Sequence, residues 1–548
     1  MSKNIVLCAD GTGNKGGYTP DSNVYKMYIA VDKHDPANPQ MTYYDNGVGT
    51  EQNKILRTLG GAMGLGFGSN VKDLYKYLAR KYEPESSLPG KIAPADKVFL
   101  FGFSRGAATI RAFSGFVHTC GLIDGRGLSN DEMTRRVDAE FDKYIKWRRN
   151  PELAKPVKEE GLSHGVIDIE FMGVWDTVSA LGFPERTDIT SVGMWALNWV
   201  LTGLDHLTDK FHYFAHRFYN YELTDNVKYA YQALALDDER TAFWPWVWDE
   251  HGRAKNTVEQ VWFAGMHSNV GGGYNRSGMA KVALDWMMER CSRHGLMLRE
   301  DKMREISAEA HVDGRMYDSR DGLAMFYRFH PRELEKLCHR GKICCQKKEC
   351  DENKIFALSS SDLEKNPQAQ PSCNKLLGEI KVHDSVVERM KNRTANYAPT
   401  QLPETFEIAK TDLQSECRIV QPKLDKNWAA QQVLVKKWIF LRKWLYGIML
   451  ESTLAIVAIA LYFWINPPTR IDGDLVSGLM QHMTDILNYI LPDMFGGLIT
   501  QVVWNNGWIF AAAIAVLTIY FSFRSFARHS TVKIAERLRR LVMKAVSS

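Results

Sequence analysis

The residues with the clearest chemical content are Gly102-Phe103-Ser104-Arg105-Gly106, which fit the pattern G-x-S-x-G. The apolar run Lys97–Phe101 precedes them, and a helical pattern opening on the small residues Ala107 and Ala108 follows. Strand, sharp turn and helix is the setting an exposed nucleophilic serine requires. The glycines remove Cβ atoms where the strand and helix backbones meet, so the serine can hold a strained conformation. Its hydroxyl then stands at a helix N-terminus, where the dipole favours developing negative charge. The chemistry this implies is acyl transfer through a covalent serine intermediate.

A serine hydroxyl needs a base, and the base needs an acid to orient it. Behind an elbow of this kind the chain order is Ser, then Asp or Glu, then His. The chain has 15 histidines, so position must select among them. The run Glu170–Trp175 ends in Asp176, and the run Gln260–Ala264 leads to His267 and the glycines Gly271, Gly272 and Gly273. Both polar residues fall just past an apolar strand, where open α/β sheets carry their sites. Ser104, Asp176 and His267 are therefore the catalytic candidates. Two plainer readings stand beside them: Asp176 as a helix N-cap, and His267 as a loop histidine bonded to backbone. The oxyanion of acyl transfer needs donors. The backbone N–H of Arg105 is one candidate, and Gly11 and Thr12, in the loop Asp10–Asn14 after the first strand, are the others. Asp10 raises a metal or phosphate site, but one acid among glycines is thin support for either. No metal and no cofactor is expected.

The elements that must position these residues follow from the rhythm of the chain. Residues 1–300 alternate short apolar runs with helical patterns, as an α/β domain does. Ile5–Ala9, Lys97–Phe103, Glu170–Trp175 and Gln260–Ala264 read as buried strands. The expected fold is an α/β-hydrolase-like sheet with helices on both faces. Residues 301–430 are more polar and irregular, and read as an insert or lid-like extension completing the catalytic domain. The prolines of Asn396–Pro403 exclude regular structure there.

Residues 431–548 differ in kind. Trp444–Ile465 and Trp508–Phe523 are long apolar runs, so transmembrane helices are expected at about 444–465 and 507–523. Lys436, Lys437, Arg442 and Lys443 precede the first, and Arg524 and Arg528 follow the second. The loop between holds Asp472, Asp474, Asp485 and Asp493 against a single Arg470. By the positive-inside rule this is a hairpin with both ends cytoplasmic, which implies a multi-pass membrane protein. Past it, Val532, Ala535, Leu538, Val542 and Val546 recur at helical spacing among Arg and Lys. Such a basic amphipathic tail suits either an anionic leaflet or the surface of the catalytic domain.

A length of 548 residues calls for two or three structural units. With 45% hydrophobic and 24% charged residues the composition is globular. A net charge of +5 gives no case for nucleic acid as a partner. Nine cysteines in so long a chain are no disulfide framework. Cys8, Cys120 and Cys291 sit among apolar residues and read as small core residues. The first residues lack the apolar stretch of a signal peptide, so folding in a reducing cytoplasm is expected. Leu59–Gly68 is rich in glycine but matches no dinucleotide fingerprint, and reads as an apolar loop near a substrate entrance. Cys338, His339, Cys344, Cys345, Cys350 and Cys373 cluster without a C-x-x-C pair, which is weak for zinc.

Six motifs in one order resemble a known family. They are Cys8–Asn14, Asp45–Thr50, Gly102–Ala107, Gly173–Val178, Ala233–Arg240 and Gly265–Tyr274, with a weaker match at Val382–Val386. Together they resemble the α/β-hydrolase domain whose members include the Tle1-type phospholipase effectors of bacterial type VI secretion. The resemblance implies a lipid-cleaving serine esterase, phospholipase A1 or A2, with its triad on Ser104, Asp176 and His267. The family usually carries an acid where this chain has Asn269, and His383 is the reserve candidate for the base. The implied partners are a membrane phospholipid substrate and the bilayer, with a second copy or a regulatory or immunity protein left open. An antibacterial or defence effector fits this reading, and the resemblance places the expected hairpin in a bacterial inner membrane. An esterase or thioesterase on a soluble acyl donor, and an impaired membrane-perturbing scaffold, are the alternatives.

Overall fold

A computed structural model describes residues 2–11, 13–18, 20–47, 66–88, 91–149, 163–178, 221–254, 257–321, 324–325, 327–338, 378–412, 418–420, 426–465 and 507–547. Among these residues the chain builds a nine-stranded sheet and a separate small hairpin. In chain order the strands are β1 (Asn4–Ala9), β2 (Gln40–Asp45), the hairpin strands β3 (Ser86–Leu88) and β4 (Lys91–Ala93), β5 (Lys97–Phe103), β6 (Ile169–Trp175), β7 (Val227–Ala235), β8 (Val258–Phe263), β9 (Lys381–His383), β10 (Phe406–Ala409) and β11 (Arg418–Val420). The sheet runs β11-β10-β9-β8-β7-β6-β5-β1-β2. Every neighbouring pair is parallel except β10 with β11, which close one edge antiparallel.

Buried side chains alternate between two cores, because successive residues of a strand face opposite ways. Ile5 and Leu7 of β1, with Val98 and Leu100 of β5, pack beneath the helices Phe67–Lys81, Arg105–Cys120 and Asn130–Arg149. Val6 and Cys8, with Phe99, Phe101 and Phe103, pack on the opposite face against the helices Asn23–Ala30 and Gly278–Arg293. A strand covered on both faces reads as a continuous apolar run, as β5 does. The order reverses at β1, which lies between β2 and β5. Loops leave β1 and β5 in opposite directions there and open a crevice at their carboxyl ends.

Two expectations need correction. The region 301–430 is not wholly irregular, since β9, β10 and β11 extend the main sheet. These strands are only three or four residues long, too short to show a periodic signal. The transmembrane hairpin is also set aside. The helices Lys426–Ile465 and Gly507–Ser547 are long. Yet among the described residues no helix is long and apolar enough to cross a membrane. On the first helix Lys436, Lys437, Arg442, Lys443 and Glu451 interrupt the apolar surface, while Val435, Ile439, Tyr446 and Met449 are buried on one face. On the second, Arg524, Arg528, Lys533 and Arg537 alternate with buried Tyr520, Ala527, Ala535, Leu538 and Val542. Periodic burial at helical spacing marks faces packed on protein. Trp438 and Phe526 meet edge to face at 6.0 Å, and Arg539 donates to the Met390 carbonyl at 3.0 Å. The multi-pass inner-membrane location rested on that hairpin and falls with it. The acidic loop at 472–493 lies outside the described residues.

The chain divides into two compact units. One comprises Met1–Glu185, Asp205–Ala429 and Glu536–Ser548, and the other Arg186–Leu204 and Ala430–Ala535. The sheet and the candidate residues belong to the first.

Candidate active site

Ser104 follows β5 and opens the helix Arg105–Cys120. Its φ of 58° and ψ of −123° lie where non-glycine residues are seldom found. Neighbouring contacts hold it there. The Ser104 N–H donates to the Trp175 carbonyl of β6 at 3.0 Å. A Cβ on Gly102 would stand 2.7 Å from Ala107 Cα, and one on Gly106 would stand 2.1 Å from the Ala9 carbonyl oxygen. The glycines thus let the helix meet both β5 and β1 at backbone distance. Ser104 is 7% exposed at the head of this crevice.

Asp176 follows β6, also at positive φ (42°), and is fully buried. His267 lies past the end of β8 at the start of the short helix His267–Gly271. The His267 Nδ1 lies 2.6 Å from Asp176 Oδ2. The His267 ring stands 4.6 Å from the Phe103 ring, next to Ser104 in the chain, and 5.0 Å from Phe243. Asp176 Oδ1 also accepts from the Ala235 N–H at 2.9 Å. Arg332 grips the same carboxylate with both terminal nitrogens, at 2.6 and 2.7 Å. Burial by itself would raise the Asp176 carboxyl, but the Arg332 charge and the His267 and Arg332 hydrogen bonds outweigh it and hold it well below the usual range. Burial lowers the His267 imidazole, with the Asp176 hydrogen bond and charge working the other way.

Two further acids tether the histidine loop. Asp237 Oδ2 accepts the Gly265 N–H and the Tyr397 hydroxyl, each at 2.7 Å. Asp238 Oδ2 accepts the His267 N–H at 3.2 Å, and Asp238 is in turn held by Arg240 at 3.0 and 2.7 Å. Reading the sequence assigned no role to Asp237, Asp238 or Arg332. The run Ala233–Leu236 ending in two acids carried a signal for the first pair. Arg332 carried none, because only the fold brings it across 156 positions to Asp176.

The other candidates are placed as follows. Asp10 is buried and fully engaged: it accepts from Ser22, from Tyr44 at 2.6 Å, from Asn14 at 3.1 Å and from the Gly11 N–H at 2.6 Å. It fastens the loop after β1. A Cβ on Gly11 would lie 3.1 Å from Ser104 Cβ, so this loop backs directly on the serine. The Gly11 N–H, however, is spent on Asp10. Thr12 lies outside the described residues. Arg105 contributes the first N–H of the helix Arg105–Cys120. His383 caps the helix Asp384–Asn392, with Nδ1 on Ser385 at 2.9 Å, Nε2 on Thr411 at 3.2 Å, and its ring stacked on Phe263. Burial, and then the charge of Arg290, push its imidazole down to about 3. Both nitrogens are occupied, and the structure does not bring it to Asp176. Among the described residues no three His, Cys, Asp or Glu side chains are grouped to hold a metal. Cys338 is buried, and the rest of its cluster lies outside the described residues.

Both polar atoms of the Asn269 amide are engaged. Its Nδ2 donates to the Arg315 carbonyl at 3.0 Å and its Oδ1 accepts from the Tyr317 N–H at 3.1 Å. Asn269→Asp is expected to lower stability by about 1–3 kcal/mol, since a carboxylate would face the Arg315 carbonyl with no donor. Urea unfolding of both proteins measures this. An unchanged midpoint would mean the loop is held by other contacts.

A parallel sheet with helices on both faces, a serine at positive φ between β5 and its helix, and a buried Asp–His pair beyond β6 and β8 define an α/β protein. The family model described as the type VI secretion phospholipase effector Tle1-like catalytic domain matches residues 3–290, and the chain belongs to that family. The uncharacterized protein YEL023C of Saccharomyces cerevisiae is 26% identical over 202 residues, covering 33% of this chain. The matched stretch spans about a quarter (27%) of that relative's length. An uncharacterized protein from Pseudomonas aeruginosa is 18% identical, with 73% of this chain and 60% of that one covered and a TM-score of 0.36. A Tle1 effector bound to the VgrG spike of the type 6 secretion system is 14% identical, with 60% and 78% covered and a TM-score of 0.32.

Proposed function

We propose that the chain is a serine lipid hydrolase that cleaves an acyl ester of glycerophospholipids, a phospholipase A-type activity suited to an antibacterial or defence effector. The observation that carries this reading is the pairing of a strained Ser104 at the end of β5 with the 2.6 Å Asp176–His267 contact beyond β6 and β8. Membership of a phospholipase effector family supports the lipid substrate.

In this reading Ser104 Oγ attacks the ester carbonyl carbon, and His267 Nε2 takes the hydroxyl proton. Asp176 fixes the His267 tautomer by accepting from Nδ1, and so favours the imidazolium that forms. The tetrahedral oxyanion draws on the Arg105 N–H and the helix N-terminus. Collapse releases the lysolipid alcohol, protonated by His267, and leaves an acyl-serine. Water activated by His267 then frees the fatty acid. The catalytic domain extends past residue 300 in this account, because Arg332 supports Asp176 and β9–β11 extend the sheet.

The test is fatty-acid release from a panel of phospholipid vesicles and short soluble esters by the wild type and by Ser104→Ala, with fluorophosphonate labelling of both. Release from vesicles and labelling by the wild type alone are the expected results. Turnover confined to short esters would move the assignment to a soluble-substrate esterase. A folded wild type that neither turns over nor labels would leave only a non-catalytic membrane-acting role.

A further inference from the structure

Asp176 is where the site converges, and its surroundings exceed what orienting a histidine needs. Its oxygens accept four hydrogen bonds. Arg332 Nη1 (2.6 Å) and the Ala235 N–H (2.9 Å) reach Oδ1, while Arg332 Nη2 (2.7 Å) and His267 Nδ1 (2.6 Å) reach Oδ2. The Arg332 side chain is itself fully buried. Its two terminal nitrogens donate also to the Ala235 and Phe243 carbonyls, so its fork is fixed from behind. Two parallel donors on one carboxylate is a geometry that lysine does not reproduce.

We propose that Arg332 is a positioning residue for acyl transfer: it locks the Asp176 carboxylate and neutralises it, so that His267 stays an unprotonated base further into acid. This rests on the serine-hydrolase reading above. A lone buried carboxylate stabilises a neighbouring imidazolium strongly, whereas one already paired with a guanidinium presents little net charge at close range. The other charges facing His267 are balanced too. Asp238, which takes the His267 N–H, is closed by the fork of Arg240. The two aromatic rings that meet His267, Phe103 and Phe243, carry no charge. Arg332 touches neither serine nor substrate in this scheme and acts only through Asp176 and His267.

The experiment is the pH dependence of fluorophosphonate labelling of Ser104, and of kcat/KM on a short ester, for the wild type, Arg332→Gln and Arg332→Lys. In the wild type the acid limb is expected below the ordinary imidazole value of about 6.5. In Arg332→Gln the limb moves up by about one pH unit and the plateau falls. In Arg332→Lys the limb stays low while the plateau falls, because the charge is kept and the fork is lost. An arginine needed only for folding would lower the plateau with the folded fraction and leave the limb in place. A limb unmoved in a folded Gln variant overturns the proposal. So does a wild-type limb at or above about 6.5, which decides the matter even where neither variant folds. A folded wild type that labels at no pH removes the hydrolase reading and this role with it. A labelled wild type with an unshifted limb removes the Arg332 role alone.

Discussion

Asp176→Asn is expected to lower kcat about ten-thousandfold and stability by about 3–5 kcal/mol. The rate falls because an amide favours the wrong His267 tautomer: its NH₂ donates where the carboxylate accepted from Nδ1. The stability falls because the Arg332 guanidinium, wholly buried and paired with Asp176 at 2.6 Å, is left without its counter-charge. Ser104→Ala separates the two effects, since it removes one hydroxyl and no ion pair; it abolishes turnover with little change in the unfolding midpoint. Turnover on the best substrate, read with urea unfolding, checks both. An Asp176→Asn protein within tenfold of wild-type rate would mean that another acid serves the histidine. The pH dependence of stability has a definite sign. The folded Asp176 carboxyl sits well below its usual range. Its contribution is therefore complete above the unfolded value of about 3.9 and is lost only as the pH falls through the folded one. Asp176→Asn should remove that part of the acid-side stability curve.

The second large effect is Gly106→Ala. The added Cβ would lie 2.1 Å from the Ala9 carbonyl oxygen, 2.5 Å from its carbon and 2.5 Å from the Asp10 carbonyl oxygen. All three are backbone atoms of the central strand β1 and its loop, so no side chain can swing away. Relief requires the Arg105–Cys120 helix to lift off β1, where its residues Ala107 and Ala108 are fully buried. A loss above about 4 kcal/mol is expected, in the range reserved for overpacked cores and strained backbone. The same lift moves Ser104 from the crevice, so residual folded protein should label slowly with fluorophosphonate. Differential unfolding and labelling rate give the two readings. Near-wild-type stability would show that the helix has slack that the contacts do not suggest.

Much of this was legible in the chain itself. The run Lys97–Phe103 is buried at all but its first residue, so its apolar continuity reported a central strand directly. The flanking glycines of Ser104 announced a close strand–helix approach, and the Cβ distances at Gly102 and Gly106 are that approach. Asp176 and His267 stand out among many acids and histidines because each closely follows an apolar run. The failures have equally plain causes. The strands β9 to β11 are too short for periodicity to register. Apolar length suggested bilayer spans at residues 444–465 and 507–523. Among the described residues no helix is long and apolar enough to cross a membrane, and Tyr446, Met449, Leu450 and Tyr520 of these runs are buried.

The sequence by itself determined the local events: which runs become strands, where the elbow falls, and which polar residues stand at strand ends. Those follow from side-chain periodicity and from glycine's missing Cβ, both properties of neighbours in the chain. Only the tertiary structure decided that Arg332 meets Asp176, that Asp238 takes the His267 N–H, and that the Gly11 N–H turns to Asp10. Hydrogen bonds between residues far apart in sequence leave no periodic trace. Which nitrogen reaches which oxygen is fixed only once the sheet has set the strand ends side by side.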